Sequence, residues 1–223
     1  MKILIALMFA LPVVGTAQQQ FILRQNDIAV FGGMGIALVS APDMVEYINA
    51  TSISSQRVDD FGTAINFFGG IEFPIAEGWG VKVEHSYLFK SYNFMGTNGA
   101  LYDLLYEVQA PSVMLQRVYT GKGYFIKAGA GGGYHFGSVT QKTSTFGIET
   151  HYTASGIGIK GEIVGQTAFD EDFFGYIGGE FGWEFLGKVK DGKGVLLSNS
   201  LRRQDASLNY FFAGLRFGVV YYF

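Results

Sequence analysis

The chain contains no cysteine, only four prolines and only three histidines among its 223 residues. Without cysteine it can form no disulfide, no thiolate metal site and no cysteine-linked lipid anchor. The formal net charge of -3 is too small to indicate a nucleic-acid partner or electrostatic attachment to a membrane surface. After the N-terminal segment, no stretch approaches the roughly 18 consecutive apolar residues that a transmembrane helix needs. These absences leave the arrangement of apolar and aromatic residues as the main evidence.

The first 17 residues have the features of a secretory signal peptide. Lys2 supplies a positive charge, Ile3 to Val14 form an apolar run, and small residues follow up to Ala17. This order is typical of a signal sequence, and the apolar run is too short to span a bilayer as a helix. We therefore predict a cleaved signal peptide over residues 1–17, followed by a single exported domain over residues 18–223.

The last fourteen residues show the clearest pattern in the chain. Every second residue is apolar, and these residues are Phe211, Ala213, Leu215, Phe217, Val219, Tyr221 and Phe223. The alternate positions include Arg216 and two glycines, which predicts a strand with one apolar face and one mixed face. In a soluble protein an exposed aromatic strand would be an aggregation-prone edge. In a closed membrane barrel the same strand pairs on both sides and presents its apolar face to lipid.

The same alternation divides the rest of the mature chain into strands. With the last one, the predicted strands cover residues 27–39, 64–75, 79–92, 105–119, 123–139, 157–169, 173–188 and 210–223. The predicted links alternate between short ones at 76–78, 120–122 and 170–172 and long ones at 40–63, 93–104, 140–156 and 189–209. Short periplasmic turns and longer extracellular loops are typical of outer-membrane barrels. We predict an all-β fold, a single eight-stranded antiparallel transmembrane β-barrel with up-and-down connections.

Two positions fit this scheme less well. His85 falls on the apolar face of its strand, and Pro111 interrupts the fourth strand. Proline within a sheet usually marks a bulge or an edge, so we expect a bulge near one of these residues that switches the two faces locally.

Charged side chains gather on the face opposite the apolar one. The residues predicted to face the lumen are Glu72, Lys82, Glu84, Lys90, Lys127, Lys160, Glu162, Glu180, Glu184 and Arg216. Because eight strands leave an interior that side chains nearly fill, we predict a plug of paired charges, with Arg216 paired to Glu180 or Glu184. A gated ion path or a small-ligand pocket is the alternative interpretation.

These features together resemble one known group of proteins. The signal sequence, eight strands, alternating links and terminal Val219-Val220-Tyr221-Tyr222-Phe223 resemble the small eight-stranded bacterial outer-membrane β-barrels, the group of the OmpA membrane domain, OmpX and OmpW. The resemblance covers residues 18–223 and implies a bacterial outer-membrane location, with lipids and lipopolysaccharide as neighbours. It also implies a signal read by the barrel-assembly machinery, at Phe217, Val219, Tyr221 and Phe223.

The residues give little support to a catalytic or metal-binding role. The three histidines have no metal-ligand spacing, so no metal and no cofactor is predicted. A Ser-His-Asp set built from Ser155, His151 and Asp191 is conceivable, but no spacing selects it, since such triads are defined by geometry. We therefore predict no catalytic residues and no enzymatic activity.

We therefore predict a structural role or a role in surface interactions, in which the long loops would contact extracellular partners. A narrow channel for ions or small hydrophobic solutes is the main alternative. A lipid-modifying enzyme or a protease is a third.

Overall fold

A computed structural model describes residues 27–53, 57–144, 147–199 and 204–223. Within these ranges the chain forms a closed antiparallel barrel of eight long strands, which confirms the predicted fold class. The barrel strands are β1 (Ala29–Ser40), β2 (Phe61–Ala76), β3 (Trp79–Met95), β4 (Leu101–Gly121), β5 (Tyr124–Thr143), β6 (Ile148–Ala168), β7 (Phe173–Lys188) and β10 (Ser207–Tyr222). A helix, α1 (Pro42–Thr51), and a ribbon of two short strands, β8 (Ser198–Asn199) and β9 (Gln204–Asp205), complete the structure. The predicted signal peptide lies outside the described residues.

The barrel closes between its first and last strands. β10 pairs with β1 from Ala29 opposite Tyr222 to Ser40 opposite Phe211, without a shift in register. The remaining barrel strands pair in chain order. The terminal strand thus forms hydrogen bonds on both sides. Where β1 and β10 meet in the described barrel, no open edge exposes a row of unpaired backbone groups.

One end of the barrel, here called the turn end, has short connections. The links 77–78 and 122–123 each contain a glycine in the left-handed region, Gly78 with φ 69° and Gly123 with φ 78°. A two-residue hairpin turn favours glycine there because its twist matches the flanking strands only at positive φ. The third connection covers residues 169–172. These three short links agree with the predicted ones to within two residues.

The opposite end, here called the loop end, differs from the prediction. The first and fourth connections are long, but those predicted at 93–104 and 140–156 are wrong: most of these residues belong to β3, β4, β5 and β6. Their threonines, tyrosines and leucines favour strands once a neighbour is present to pair with. Pairing of β2 with β3 ends at Ile65 opposite Phe89, whereas β5 and β6 continue to Thr143 opposite Ile148. Four strands therefore project past the barrel rim as a sheet, the loop-end extension (residues 90–95, 101–108, 137–143 and 148–156).

The outer wall of the barrel is apolar. Outward side chains such as Ile36, Ile163 and Ile177 are 55%, 63% and 58% exposed, and aromatic residues including Phe136, Phe185 and Tyr119 are similarly open. The inward positions carry most of the buried charges. This arrangement is the inverse of a soluble protein and matches a barrel whose outer wall meets lipid. Among the described residues, no helix has the length and apolar character to cross a membrane.

The expected bulge near His85 or Pro111 is absent from the described strands. Around His85 the strand β3 keeps one register past both neighbours, with His85 opposite Gly69 on one side and Pro111 on the other, and the register shift against β2 lies at the turn end, between Pro74 and Ala76. The pairs Gln109–Phe136 and Val113–Gly132 show that β4 and β5 also keep one register across the proline. Pro111, which has no N–H, interrupts this ladder without switching faces, and both His85 and Pro111 point outward.

Candidate functional site

The lumen is the candidate site, and at the loop end it is covered by an apolar cap. In α1 the residues Met44, Val45, Tyr47 and Ile48 are buried, a spacing that places them on one side of the helix. Met44, Tyr47 and Ile48 belong to one buried cluster with apolar side chains of the barrel interior and of the inner face of the loop-end extension, which are Leu88, Leu104, Tyr106, Val108, Leu186, Leu208, Tyr210 and Phe212. Pro42 at the start of the helix suits its first turn, where no backbone N–H donor is needed. The cap therefore closes the barrel with side chains from a segment predicted to be loop.

Beneath the cap, the central ion-pair cluster crosses the lumen; it consists of Lys82, Glu84, Lys160, Glu162, Glu180 and Arg216. The Arg216 guanidinium contacts carboxylates on three different strands, with Nη2 2.8 Å from Glu84 and Nη1 3.1 Å from Glu162 and 3.3 Å from Glu180. Lys82 Nζ lies 2.8 Å from both Glu84 and Glu162. Each of these ions is almost fully buried. Ions that are so little screened by solvent attract each other strongly, and they stabilise the barrel when each one has an oppositely charged partner.

Neutral groups complete the cluster. Asn66 donates to Glu180 at 2.7 Å, and Gln116 donates to Glu162 at 2.9 Å. The Arg216 guanidinium carbon lies 3.6 Å from the centroid of the Phe68 ring, and Lys82 Nζ lies 4.5 Å from that of Phe31. These cation–π contacts join the charged layer to the aromatic layer beneath it.

Aromatic residues and one more ion pair occupy the turn end of the lumen. The buried residues here include Phe31, Phe68, Phe125, Val164, Phe174, Tyr176, Val220 and Tyr222. Among them Lys127 forms an ion pair with Glu72 and donates to the Tyr222 hydroxyl at 3.0 Å. Small cavities of about 20 and 30 Å³ lie beside Glu184 and beside Glu72 in the described lumen. Each of these two has room for about one water molecule.

A separate buried group joins Ser112, His135 and Glu184. His135 Nδ1 lies 2.6 Å from the Glu184 carboxylate, and Nε2 lies 3.3 Å from Ser112 Oγ. These residue types occur in hydrolase triads, but Ser112 donates its proton to the Ala110 carbonyl at 3.2 Å, and the group is sealed between cap and cluster. The imidazole of His135 therefore bridges Ser112 and Glu184 across the lumen, with one ring nitrogen against each side chain.

The count of buried ions shows why this contact matters. Within the described lumen there are five buried carboxylates, Glu72, Glu84, Glu162, Glu180 and Glu184, and four buried permanent cations, Lys82, Lys127, Lys160 and Arg216. Glu184 is the carboxylate that contacts the His135 imidazole. Because a buried carboxylate without a hydrogen-bond partner is costly away from water, this contact stabilises Glu184 in the interior.

The structure places nine of the ten predicted lumen charges inside, buried, in the groups just described. Lys90 differs: it is half-buried at the loop end, where its ammonium donates to the Thr63 carbonyl at 2.9 Å. Of the two partners predicted for Arg216, Glu180 is in contact, whereas Glu184 is held by His135. The contact between His135 and Glu184 was not predicted. The sequence signal for it was that His135 lies on the same inward face of β5 as Lys127.

The conceivable Ser-His-Asp set is not assembled. His151 Nε2 lies 3.1 Å from Glu149, and its Nδ1 lies 3.0 Å from the Thr140 hydroxyl. Ser155 instead contacts the Tyr134 hydroxyl at 2.9 Å, on the outer wall. Asp191 accepts hydrogen bonds from backbone N–H groups of its own loop. In the part of the chain that the structure describes, no three His, Asp or Glu side chains are arranged to hold a metal ion.

The cap gives a pH-dependent prediction. Burial in the apolar cap raises the pKa of Tyr47 to about 12, and its hydroxyl donates to Gln141 at 3.2 Å. Because the folded state retains this proton more tightly, the stabilisation is complete below about pH 10 and is lost as the pH rises to about 12. Urea titrations at about pH 9 and pH 11.5 measure how much unfolding free energy each protein loses over this range. The loss should be about 1–2 kcal/mol larger in the unaltered protein than in Tyr47→Phe. Equal losses in both proteins would contradict the role of Tyr47.

Comparison with known proteins identifies the fold. No protein-family model matches the chain, and no curated protein matches its sequence. A major outer membrane protein from Thermus thermophilus matches in structure with a TM-score of 0.52 and 12% identity, over 87% of this chain and 99% of that one. Neisserial surface protein A (NspA) matches with a TM-score of 0.50 and 11% identity, over 88% of this chain and 97% of that one. The outer membrane protease OmpT from Escherichia coli is also similar, with a TM-score of 0.45 and 8% identity over 93% and 100% of the two chains. The first two likenesses confirm the fold of the bacterial outer-membrane β-barrels.

Proposed function

We propose that this protein is a non-enzymatic barrel of a bacterial outer membrane, with a closed lumen and a structural or surface-contact role. The observation that carries the proposal is the filling of the lumen from one end to the other. An apolar cap, a central ion-pair cluster and an aromatic layer follow one another along the barrel axis. Each layer uses side chains from strands on opposite sides of the barrel, so each one both blocks the lumen and ties the wall together.

The apolar outer wall supports the membrane location. Large apolar side chains that are about half exposed would be unfavourable in water, and the described barrel carries them on all eight strands. The fold shared with outer-membrane barrels agrees with this. We propose that the turn end faces the periplasm and the loop end faces the exterior. The outward stripe formed by Phe217, Val219 and Tyr221 on β10 and by Phe223 directly after it remains the proposed assembly signal.

The loop end supplies the surface for contact. The loop-end extension projects past the rim, α1 contacts it through Tyr47 and Gln141, and the β8–β9 ribbon lies beside α1. These segments are the parts of the described chain that extend beyond the apolar wall. Contact with an extracellular partner would therefore involve the extension, the helix or the ribbon.

Conductance distinguishes the closed barrel from the main alternative, a narrow channel. The purified protein, refolded and inserted into a planar bilayer, should give no single-channel steps in potassium chloride. A large porin inserted into the same bilayer is the positive control, and heat-dependent gel migration of recovered protein verifies that it was folded. Reproducible steps from the unaltered protein would contradict the closed lumen and favour the channel.

A further inference from the structure

A cavity with a bearing on function lies in the outer wall and not in the lumen. It is a half-open cleft of about 790 Å³ between the loop-end parts of β4, β5, β6 and β7. Its apolar lining consists of Phe136 at the lower, outward edge and of the interior residues Ala154 and Leu186 at the bottom, and Lys188 and Lys190 lie on one side. Volumes of this size are typical of ligand sites that combine an apolar lining with a few polar groups.

A bulge at Gly187 creates the cationic rim. β6 and β7 pair regularly up to Ile157 opposite Phe185, and contact resumes where Thr153 and Lys190 exchange backbone hydrogen bonds. Three residues of β6 lie opposite four residues of the β7 segment in between, and Gly187 accommodates the extra residue with φ 77°. Strict alternation along β7 would turn Lys188 into the lumen. The bulge directs Lys188 outward instead, on the same face as Lys190, while Val189 between them is buried.

The remaining rim is polar and mostly uncharged. Hydroxyl groups of Ser138, Thr153 and Ser155 line it, and Glu107 on the far side is engaged by the Tyr87 hydroxyl and by Ser138. Lys188 contacts Asp205 at 2.7 Å, but this pair is largely exposed to solvent. Such surface pairs contribute little, so Lys188 can exchange Asp205 for another anion at small cost.

The cleft also lies at a particular place along the wall. Below it the outward residues are apolar, namely Tyr134 and Phe136 on β5, Ile157 on β6, and Phe185 and Trp183 on β7. Above it the outward residues of β5 and β6 are mostly polar, with Thr140, Lys142, His151 and Glu149 among them. An amphiphile seated here would place its chain along the apolar wall and its anionic head against the two lysines, which is the orientation of a lipid in the surrounding leaflet.

We propose that this cleft binds one phosphate-bearing lipid of the outer leaflet, with its headgroup on Lys188 and Lys190 and an acyl chain beside Phe136 and Phe185. The proposal rests on the membrane location proposed above. It goes further by assigning a specific lipid site to one sector of an otherwise apolar wall.

The two tryptophans of the chain allow a direct test. Trp183 lies on the outer wall just below the cleft, and Trp79 lies at the turn end, so a Trp79→Phe variant leaves Trp183 as the reporter. The variant is reconstituted in phosphatidylcholine bilayers that contain a small fraction of brominated phosphatidic acid or, separately, brominated phosphatidylcholine. Quenching by the acidic lipid should show an apparent affinity about fivefold or more above that of phosphatidylcholine. Lys188→Gln with Lys190→Gln should remove this preference, and Lys188→Arg with Lys190→Arg should retain it.

The control variant removes two exposed lysines elsewhere, with Lys122→Gln and Lys142→Gln, and should keep the preference. Equal quenching by both lipids in the unaltered cleft, or an equal loss in the control variant, would overturn the proposal. Competition by inorganic phosphate at moderate concentration would also overturn it, because the site would then hold an anion without its chain. Absence of quenching by either lipid would instead contradict the membrane location itself.

Discussion

Replacing Arg216 by Met should lower the unfolding free energy by about 3–5 kcal/mol, the range seen when one partner of a buried ion pair is removed. Arg216 faces three carboxylates, so its loss leaves Glu84, Glu162 and Glu180 with two lysines near them and one uncompensated charge. Methionine has a similar shape, which keeps a cavity from dominating the result. Urea titration in lipid bilayers, followed by gel migration of folded and unfolded protein, measures the change.

Two further variants make this prediction specific. Adding Glu180→Gln to Arg216→Met removes the negative charge that the loss of Arg216 leaves without a partner. The double variant should therefore recover part of the lost stability, because Arg216 is the cation that Glu180 contacts in the described lumen. Arg117→Met removes a guanidinium from the outer wall, where it lies over the Trp79 ring at 5.2 Å, and should cost less than about 1 kcal/mol. An Arg216→Met protein as stable as Arg117→Met would show that the cluster does not hold the barrel together.

Replacing His135 by Leu should have a comparable effect, a loss of about 3–5 kcal/mol, because Glu184 would then be buried without its partner. The Nδ1 atom of His135 lies 2.6 Å from the Glu184 carboxylate, and both side chains are buried. The same urea titration measures this loss.

The matched control is His85→Leu, on the outer wall. Its side chain is exposed there among apolar neighbours, so leucine should leave stability unchanged or raise it. The double variant His135→Leu with Glu184→Leu removes both partners of the contact and should be more stable than His135→Leu alone. A double variant that is less stable than the single one would indicate that His135 acts through packing and not through its contact with Glu184.

The barrel itself was predictable from local pattern. Alternation of apolar and polar residues is strong in membrane barrels because one face meets lipid and the other meets a crowded polar interior, so Ile163 and Glu162 identify their faces without any tertiary information. The same alternation separated nine of the ten predicted lumen charges correctly. Lys90 was the exception. Alternation along a strand indicates which face a residue occupies but not its position along the barrel axis, and this lysine lies near the rim.

Other features depend on contacts distant in sequence. The helix α1 was missed because its ten residues are too few for a stable helix alone, and packing on the barrel interior stabilises it. The outward turn of Lys188 depends on the conformation of Gly187, which alternation alone does not reveal. The partner of Glu184 was missed because His135 lies 49 residues away, and only closure of the sheet brings the two together.

The position of α1 has a consequence for how the barrel is assembled. The helix follows the first strand, yet it binds the last part of the chain: Glu46 accepts from Gln204 at 2.7 Å, and Ala50 accepts from Asn199 at 3.1 Å. Met44 and Ile48 also pack in the cluster that contains Leu208 of β10. In the folded barrel α1 thus joins the segment after the first strand to the segment before the last one. A barrel with all eight strands paired but with this helix undocked would have an open loop end, so closing the wall and closing the lumen are two separate events.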